Sequence, residues 1–339
     1  MVPPQETTKL SAALAGDQHA FGQVVEPYRN ELIAHCYRFT GSMQDAEDMV
    51  QETLLRAWRK RATYARRATF RAWLYKIATN ACLDSLKKSS RRTLPSSKYP
   101  AANPDEPFAP PIHEPIWLEP IPDELLAEIS TTPEARYSIQ ESITLAFTIA
   151  LQTLPPRQRA VLLLRDVLGW RSRETAETLD ISLSAANSAL FRARQTLEKT
   201  GSFQRYRKPR ETVDSLLEQY IKAWENADID GLVSLIKEDA SFVMPPSPSW
   251  YSGRDAIATA INNMLFTGDA GGRWRLRMTR ANAQPAFGFY QRDESSGEFR
   301  AFGIQVLTFD GEEIATISHF LLPGLFQRFG LPEKISPRG

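Results

Sequence analysis

At 339 residues the chain is longer than one hydrophobic core ordinarily organises, so two or three domains are expected. With 42% hydrophobic and 24% charged residues it has the composition of a folded protein, which excludes wholesale disorder. Its net charge of +1 conceals an uneven distribution. Residues 1–99 hold 16 basic and 9 acidic side chains, and residues 136–210 hold 13 and 6, so each segment is +7. Residues 100–135 hold 8 acidic side chains and no Lys or Arg, and residues 211–339 are −5. Two basic modules around an acidic segment suggest a nucleic-acid binder that carries its own anionic counterpart.

The longest apolar run, Ile143 to Leu151, is too short to cross a bilayer and is interrupted by Thr144 and Thr148. MVPPQETTKL has no signal-peptide apolar region, so a cytoplasmic protein with no membrane partner is expected. Cys36 and Cys82 lack Cys or His neighbours at metal-ligand spacing, and His19, His35, His113 and His319 are scattered. No metal site and no cofactor are expected.

In chain order, Phe21, Val24, Val25, Tyr28, Leu32 and Cys36 recur at helical period, as do Ala46, Val50, Leu54 and Ala57, which predicts a helical bundle over 1–93. Asp45, Asp48 and Glu52 fall at i, i+3 and i+7 beside the second apolar stripe. An acidic stripe in a basic module suits a basic protein partner. The stretch at 60–92 interleaves Tyr64, Phe70, Trp73 and Tyr75 with Arg66, Arg67, Arg71, Lys76, Lys87 and Lys88. Unstacked bases need such π-faces, and their backbone needs such cations. Trp73 and Ile77 are expected to pack inward, whereas Asn80 and Asp84 share a polar face suited to base edges.

From Pro95 to Pro122 the run of prolines forbids a continuous helix, and 94–135 reads as an acidic linker. Trp117-Leu118-Glu119-Pro120 lies within it, and a Trp there is expected to dock. Helical patterning returns over 136–204, broken at Leu154-Pro155-Pro156, Gly169 and Asp180. A short helix from Ser172 to Leu179, a turn at Asp180-Ile181-Ser182 and a longer helix have helix-turn-helix spacing. The second helix would present Ser184, Ala185, Asn187 and Ser188 to the major groove and Arg192 and Arg194 to phosphates. Residues 205–339 predict helices at Thr212 to Ala227 and Ile257 to Leu265. Strands follow at Trp274 to Ala281, Ala286 to Arg292, Arg300 to Phe309 and Ile314 to Leu322.

The span LPPRQRAVLLLRDVLGWRSRETAETLDISLSAANSALFRARQTL resembles region 4, the −35 reader, of sigma-70 factors of the extracytoplasmic-function group. GSMQDAEDMVQETLLRAWRK at 41–60 is similar to region 2.2 of that family, and 60–92 resembles regions 2.3 and 2.4. The resemblance implies core RNA polymerase and promoter DNA as partners. It places Asp45, Asp48, Gln51, Glu52 and Leu55 against the core enzyme. Tyr64, Arg66, Arg67, Phe70, Arg71, Lys76, Asn80, Asp84, Lys87 and Lys88 fall at the −10 element. Asn187 and Ala189 depart from the basic residues that many relatives carry there.

The last domain has a fold-level resemblance to SnoaL-like members of the nuclear-transport-factor-2-like superfamily. The implied architecture is multidomain: two all-α helical modules, then an α+β cone-like domain with a curved antiparallel sheet. The cone implies a pocket lined by Arg280, Asn282, Gln284 and His319, open to a small-molecule ligand, with His319 and Asp239 as the acid/base pair if it were catalytic. The expectation is a non-enzyme, a sigma factor whose linker residues Trp117 to Pro120 and C-terminal FQRFGLP couple the extra domain to its activity. A stand-alone DNA-binding regulator and a ketosteroid-isomerase-like enzyme fused to a DNA-binding module are the alternatives.

Overall fold

A computed structural model describes residues 4–66, 68–87, 91–113, 117–127, 142–199 and 212–336. The chain forms two compact units, one of residues 1–92 with 125–204 and one of residues 93–124 with 205–339.

The first unit is helical. It contains α1 (Pro4–Ala15), α2 (Gln18–Val25), α3 (Arg29–Thr40), α4 (Met43–Lys60) and α5 (Phe70–Leu86). After the linker come α6 (Leu145–Thr153), α7 (Pro156–Leu162), α8 (Ser172–Leu179) and α9 (Leu183–Lys199). Short polar side chains start these helices by accepting otherwise unpaired amides: Ser42 from Asp45, Thr69 from Ala72 and Thr144 from Phe147. Pro156 occupies a first-turn position where no donor is lost. Asp180 ends α8 in the left-handed conformation, φ 53°, which an Asp tolerates better than most residues. Of the apolar stripes expected from sequence, Phe21, Val25, Leu32, Cys36, Ala46, Val50 and Ala57 are buried and Val24, Tyr28 and Leu54 are partly covered; Phe39 of α3 and Leu74, Ala78 and Cys82 of α5 complete the core.

The second unit contains α10 (Thr212–Glu225), α11 (Ile229–Ser234), β1 (Ile236–Val243), β2 (Trp250–Ser252) and α12 (Arg254–Met264). It continues through β3 (Trp274–Ala281), β4 (Gln284–Arg292), β5 (Phe299–Asp310), β6 (Glu313–Phe320) and β7 (Lys334–Ile335). The strand order is β2-β1-β6-β5-β4-β3, with β7 pairing β5. All pairs are antiparallel except β1 with β6, where Phe242 lies opposite Ile317, so the sheet is mixed. One sheet face closes on α10: Leu217, Tyr220 and Trp224 share a core with Phe287, Phe289, Leu307 and Ile317. The other face is covered by the C-terminal FQRFGLP. A Cβ on Gly288 would lie 2.6 Å from the Leu331 side chain, and the Tyr290 hydroxyl donates to Pro332 O at 3.0 Å.

Between Tyr99 and Asp123 the described residues of the acidic linker bond to the rest of this second unit. Tyr99 O accepts from the Trp250 indole at 2.8 Å, Ile112 N donates to Pro246 O at 3.0 Å, and Ala109 bonds both Ser247 and Ser249. Trp117 is only 6% exposed and donates its indole N–H to Ile112 O at 2.8 Å. The tightest grip is on the β3–β4 hairpin, whose turn residues Asn282 and Ala283 both have positive φ. Ile121 N donates to Asn282 Oδ1 at 3.0 Å while Asn282 N donates to Ile121 O at 2.9 Å. Asp123 accepts from Ala283 N at 2.7 Å and from Arg280 Nε at 3.0 Å. A proline-rich segment has few amides of its own to form a ladder, so it is held by bonds to a ready-made turn.

Replacing Asn282 separates the two parts of this grip. Asn282→Gly keeps the backbone conformation but orphans the Ile121 amide, and Asn282→Ala adds the left-handed penalty, each effect being about 1–2 kcal/mol. Urea unfolding should rank wild type above Gly above Ala. An Ala variant as stable as wild type would show that the turn does not anchor the linker.

Candidate polymerase and promoter interface

On α4 the helix period divides the acidic stripe in two. Asp48, Gln51 and Leu55 are exposed on one face, with Leu55 51% accessible. An apolar side chain left in water beside a carboxylate suits a protein partner better than DNA. Asp45 and Glu52 are instead engaged within the unit. Arg92 Nη2 holds Asp45 at 2.7 Å, and Glu52 meets Arg56 Nε at 2.6 Å. Arg56 continues to Asp84 at 3.0 Å, which also takes Lys87 Nζ at 3.0 Å. These two cations hold the Asp84 carboxyl below its ordinary range.

The aromatics before and within α5 form a cluster. Tyr64 lies 5.6 Å from Phe70 and 5.3 Å from Trp73, ring to ring, and Tyr28 is 5.9 Å from Phe70. Phe70, Tyr75 and Ile77 are buried, whereas Tyr64 and Trp73 are half-buried and keep a face to solvent. The expected inward packing therefore describes Ile77 more than Trp73. Arg71 is committed to the fold: it bonds both oxygens of buried Glu31, at 2.8 and 3.1 Å, and lies over the Tyr75 ring. Burial raises the Glu31 carboxyl pKa, with Arg71 opposing it. Arg66, Lys76 and Lys87 are exposed and Asn80 is half-buried, with Arg66 bonding Ser11 and Lys76 donating to Glu177 O at 3.1 Å. Arg67 and Lys88 lie outside the described residues.

In the helix-turn-helix, Ala186, Leu190, Ala193 and Leu197 turn inward on α9. Ser184, Ala185, Asn187, Ser188 and Arg192 are exposed on its other side, and Ser182 Oγ caps the helix by accepting from Ala185 N at 3.1 Å. Arg194 is held by Asp166 through two bonds of 2.7 and 2.9 Å, which fixes it against the helical turn at Leu163–Val167 that follows α7. Phe191 joins this face, a residue that the helix-turn-helix spacing alone does not single out. It is 68% exposed, four residues after Asn187 on the same face. The signal was available: Phe191 falls off the buried stripe, where an aromatic has no core to fill.

In the C-terminal domain the four expected pocket residues do not converge. Arg280 and Asn282 hold the linker as described above. Gln284 donates to Leu307 O at 3.1 Å and Thr308 Oγ1 at 2.7 Å. Phe287 pairs with Gln305 and Gln305 with His319, so strand alternation puts Gln284, three residues before Phe287, on the opposite sheet face from His319. His319 is buried with its Nδ1 3.2 Å from Gln305 Nε2, and Gln305 Oε1 accepts from the Tyr220 hydroxyl. Phe289 and Phe302 flank its ring at 4.8 and 5.6 Å. Gly303 makes room for the imidazole, since a Cβ there would lie 2.8 Å from Nε2. Asp239 is exposed and 3.2 Å from Lys237 Nζ, so the acid/base pair is not formed. Among the described residues no cluster of His, Cys, Asp or Glu could hold a metal ion.

Burial pushes the His319 pKa down to about 3, against about 6.5 when unfolded, so the unfolded chain binds this proton first. The stability this residue contributes is complete above about pH 6.5 and is lost as pH falls toward the folded value. Thermal unfolding between about pH 7.5 and 5 should show stability of the C-terminal domain falling with pH, and His319→Gln should flatten the slope. An unchanged slope would mean that His319 is not buried in its neutral form.

Residues 24–92 match the Sigma-70 region 2 family, residues 145–197 match Sigma-70, region 4, and residues 217–317 match the SnoaL-like domain family. The chain is 42% identical over 320 residues to the ECF RNA polymerase sigma factor SigG of Mycobacterium tuberculosis, covering 93% of this chain and 85% of that one. It is 29% identical over 191 residues to SigW of Bacillus subtilis, covering 56% of this chain and 94% of that one. The crystal structure of the extracytoplasmic function sigma factor SigJ of Mycobacterium tuberculosis shares the fold, with a TM-score of 0.59 at 21% identity over 90% of this chain and 97% of that one.

Proposed function

Because the chain belongs to the extracytoplasmic-function sigma factors and is an RNA polymerase sigma factor, we propose a division of labour among its surfaces. The Asp48–Gln51–Leu55 face of α4 docks on core RNA polymerase. Tyr64 and Trp73 stack melted −10 bases, with Arg66, Lys76 and Lys87 near the strand's phosphates. In the −35 duplex, Asn187 and Ser188 meet base edges, Phe191 lies against a thymine methyl and Arg192 takes a phosphate. The observation that carries this reading is the α9 face, exposed from Ser184 to Arg192 while its reverse is filled by small apolar side chains.

The chain works where the polymerase works, in the cytoplasm, and no described helix is long and apolar enough to cross a membrane. It performs no catalysis of its own; the separation of Asp239 from a neutral His319 supports that reading. The C-terminal domain modulates activity by clamping the linker between the two promoter-reading regions. Support comes from the bonds of Ile121 and Asp123 to the β3–β4 turn, and from a core in which Trp224, Phe266, Trp274 and Phe289 pack ring against ring. That packing favours a clamp over a small-molecule sensor.

Asp48→Lys combined with Leu55→Ala should weaken core-polymerase affinity at least tenfold, about 1.4 kcal/mol, with an unchanged circular-dichroism spectrum. Full affinity in the folded variant would remove α4 as the docking helix. On DNA, Arg192→Ala should weaken −35 binding evenly across sequences and lower the salt dependence by about one unit, while Asn187→Ala changes which sequence is selected. Identical behaviour in a site-selection experiment would contradict the two roles.

A further inference from the structure

The loop at 61–69, between α4 and α5, carries Tyr64 and Arg66. Its backbone turns at Arg66, whose φ of 55° lies in the left-handed region that a residue with a Cβ seldom adopts. Three local bonds fold the loop on itself. The Tyr64 hydroxyl donates to Ala68 O at 2.8 Å, Tyr64 N to Arg61 O at 3.2 Å, and Thr63 Oγ1 to Lys60 O at 2.7 Å. These bonds set the Tyr64 ring against Phe70 and Trp73, but none of the three involves Arg66.

The partner of Arg66 comes from α1. Arg66 Nη2 donates to Ser11 Oγ at 2.9 Å, across 55 positions of sequence. The base of the loop is held by neighbouring parts of the same helical pair. Arg61 donates from Nη1 to Trp58 O at 2.9 Å and lies over the Trp58 ring, 4.2 Å from its centroid. Phe21 of α2 meets that ring edge-on at 5.2 Å. Gly16, between α1 and α2, has φ 112°, and a Cβ there would lie 3.5 Å from Arg61 Nη2, so glycine serves both the turn and the close approach. α1 and most of α2 lie ahead of the segment that matches region 2.

A guanidinium is a planar fork of N–H donors on a long stem, and a phosphate contact must freeze that stem before it gains anything. Ser11 takes one edge of the Arg66 fork and leaves its other donors uncommitted among the described residues. Part of the ordering is then complete before a strand arrives, so the bond acts on strand binding. Both side chains are exposed, so the same bond adds little to the stability of the fold. We propose that Ser11 is a positioning residue for the −10 reader: through Arg66 it holds the 61–69 loop in the shape in which Tyr64 and Arg66 meet the melted strand. The proposal deepens the assignment of Tyr64 and Arg66 to that strand and rests on it.

The test uses the full chain assembled with core RNA polymerase and a single-stranded oligonucleotide of the −10 element. Ser11→Ala should leave thermal unfolding, core-enzyme affinity and −35 duplex binding at wild-type values while weakening oligonucleotide binding about threefold to tenfold. Ser11→Thr keeps the hydroxyl and should restore it. Arg66→Ala should weaken binding at least as much, and Ser11→Ala should add nothing to it in the double variant, since both act through one bond. Unchanged oligonucleotide binding by Ser11→Ala, or losses that add in the double variant, would overturn the proposal while Tyr64→Ala and Arg66→Ala still bind weakly. Wild-type binding by Tyr64→Ala and Arg66→Ala would contradict the assignment of the reader itself, and the proposal with it.

Discussion

The pairing of a proline-rich linker with a single β-turn is the constraint on which the second unit of this sigma factor depends. Asn282 and Ala283 accept left-handed backbone angles to make the β3–β4 turn, and the turn offers its amides and the Asn282 carboxamide to Ile121 and Asp123. Asp123 is mostly desolvated in that position, which raises its carboxyl pKa, with Ala283 N–H and Arg280 opposing the rise. The linker connects regions 2 and 4 in the chain, yet its bonds are made to the C-terminal domain. A segment that would otherwise tether the two promoter readers loosely is thereby fixed at its middle.

The same domain has a fold on which other proteins build catalytic pockets, and here its polar core residues are used for packing. Tyr220, Gln305 and His319 form a buried chain of neutral hydrogen bonds, set among Phe289, Phe302 and Trp224. Such a network rigidifies the sheet against α10, while burial holds the imidazole uncharged. The helical unit follows an opposite logic, since its two regions meet through buried cations bonded only to neutral acceptors, a contact that specifies one geometry without making it strongly stable.

Periodicity made the helices other than the short α11, the helix-turn-helix and four of the strands legible in the sequence, because each pairs a regular apolar stripe with a cap or turn residue. The short helix at Ser172–Leu179 and strand β3 were read to the residue. Strand β1 was not, because the register shifts between Ile236 and Ser241 and leaves Lys237 partly and Glu238 and Asp239 fully exposed in succession, which breaks the alternation expected of a half-buried strand. Long-range partners were also hidden. Glu52 and Asp84 looked like free functional carboxylates, and nothing local shows that Arg56, which holds Glu52 one turn away, also reaches Asp84 28 positions on. The pocket failed for a related reason: proximity in sequence placed Arg280, Asn282 and Gln284 together, while the turn and the strand register sent them to the linker and to the opposite face from His319.

Native-state hydrogen exchange of the full chain tests the clamp most directly. If the linker is an integral part of the C-terminal domain, the amides of Leu118, Ile121, Asp123 and Asn282, each bonded in the structure, exchange slowly and open together with the central strands β4 and β5. Linker amides that exchange at unprotected rates while the strands remain protected would contradict the account.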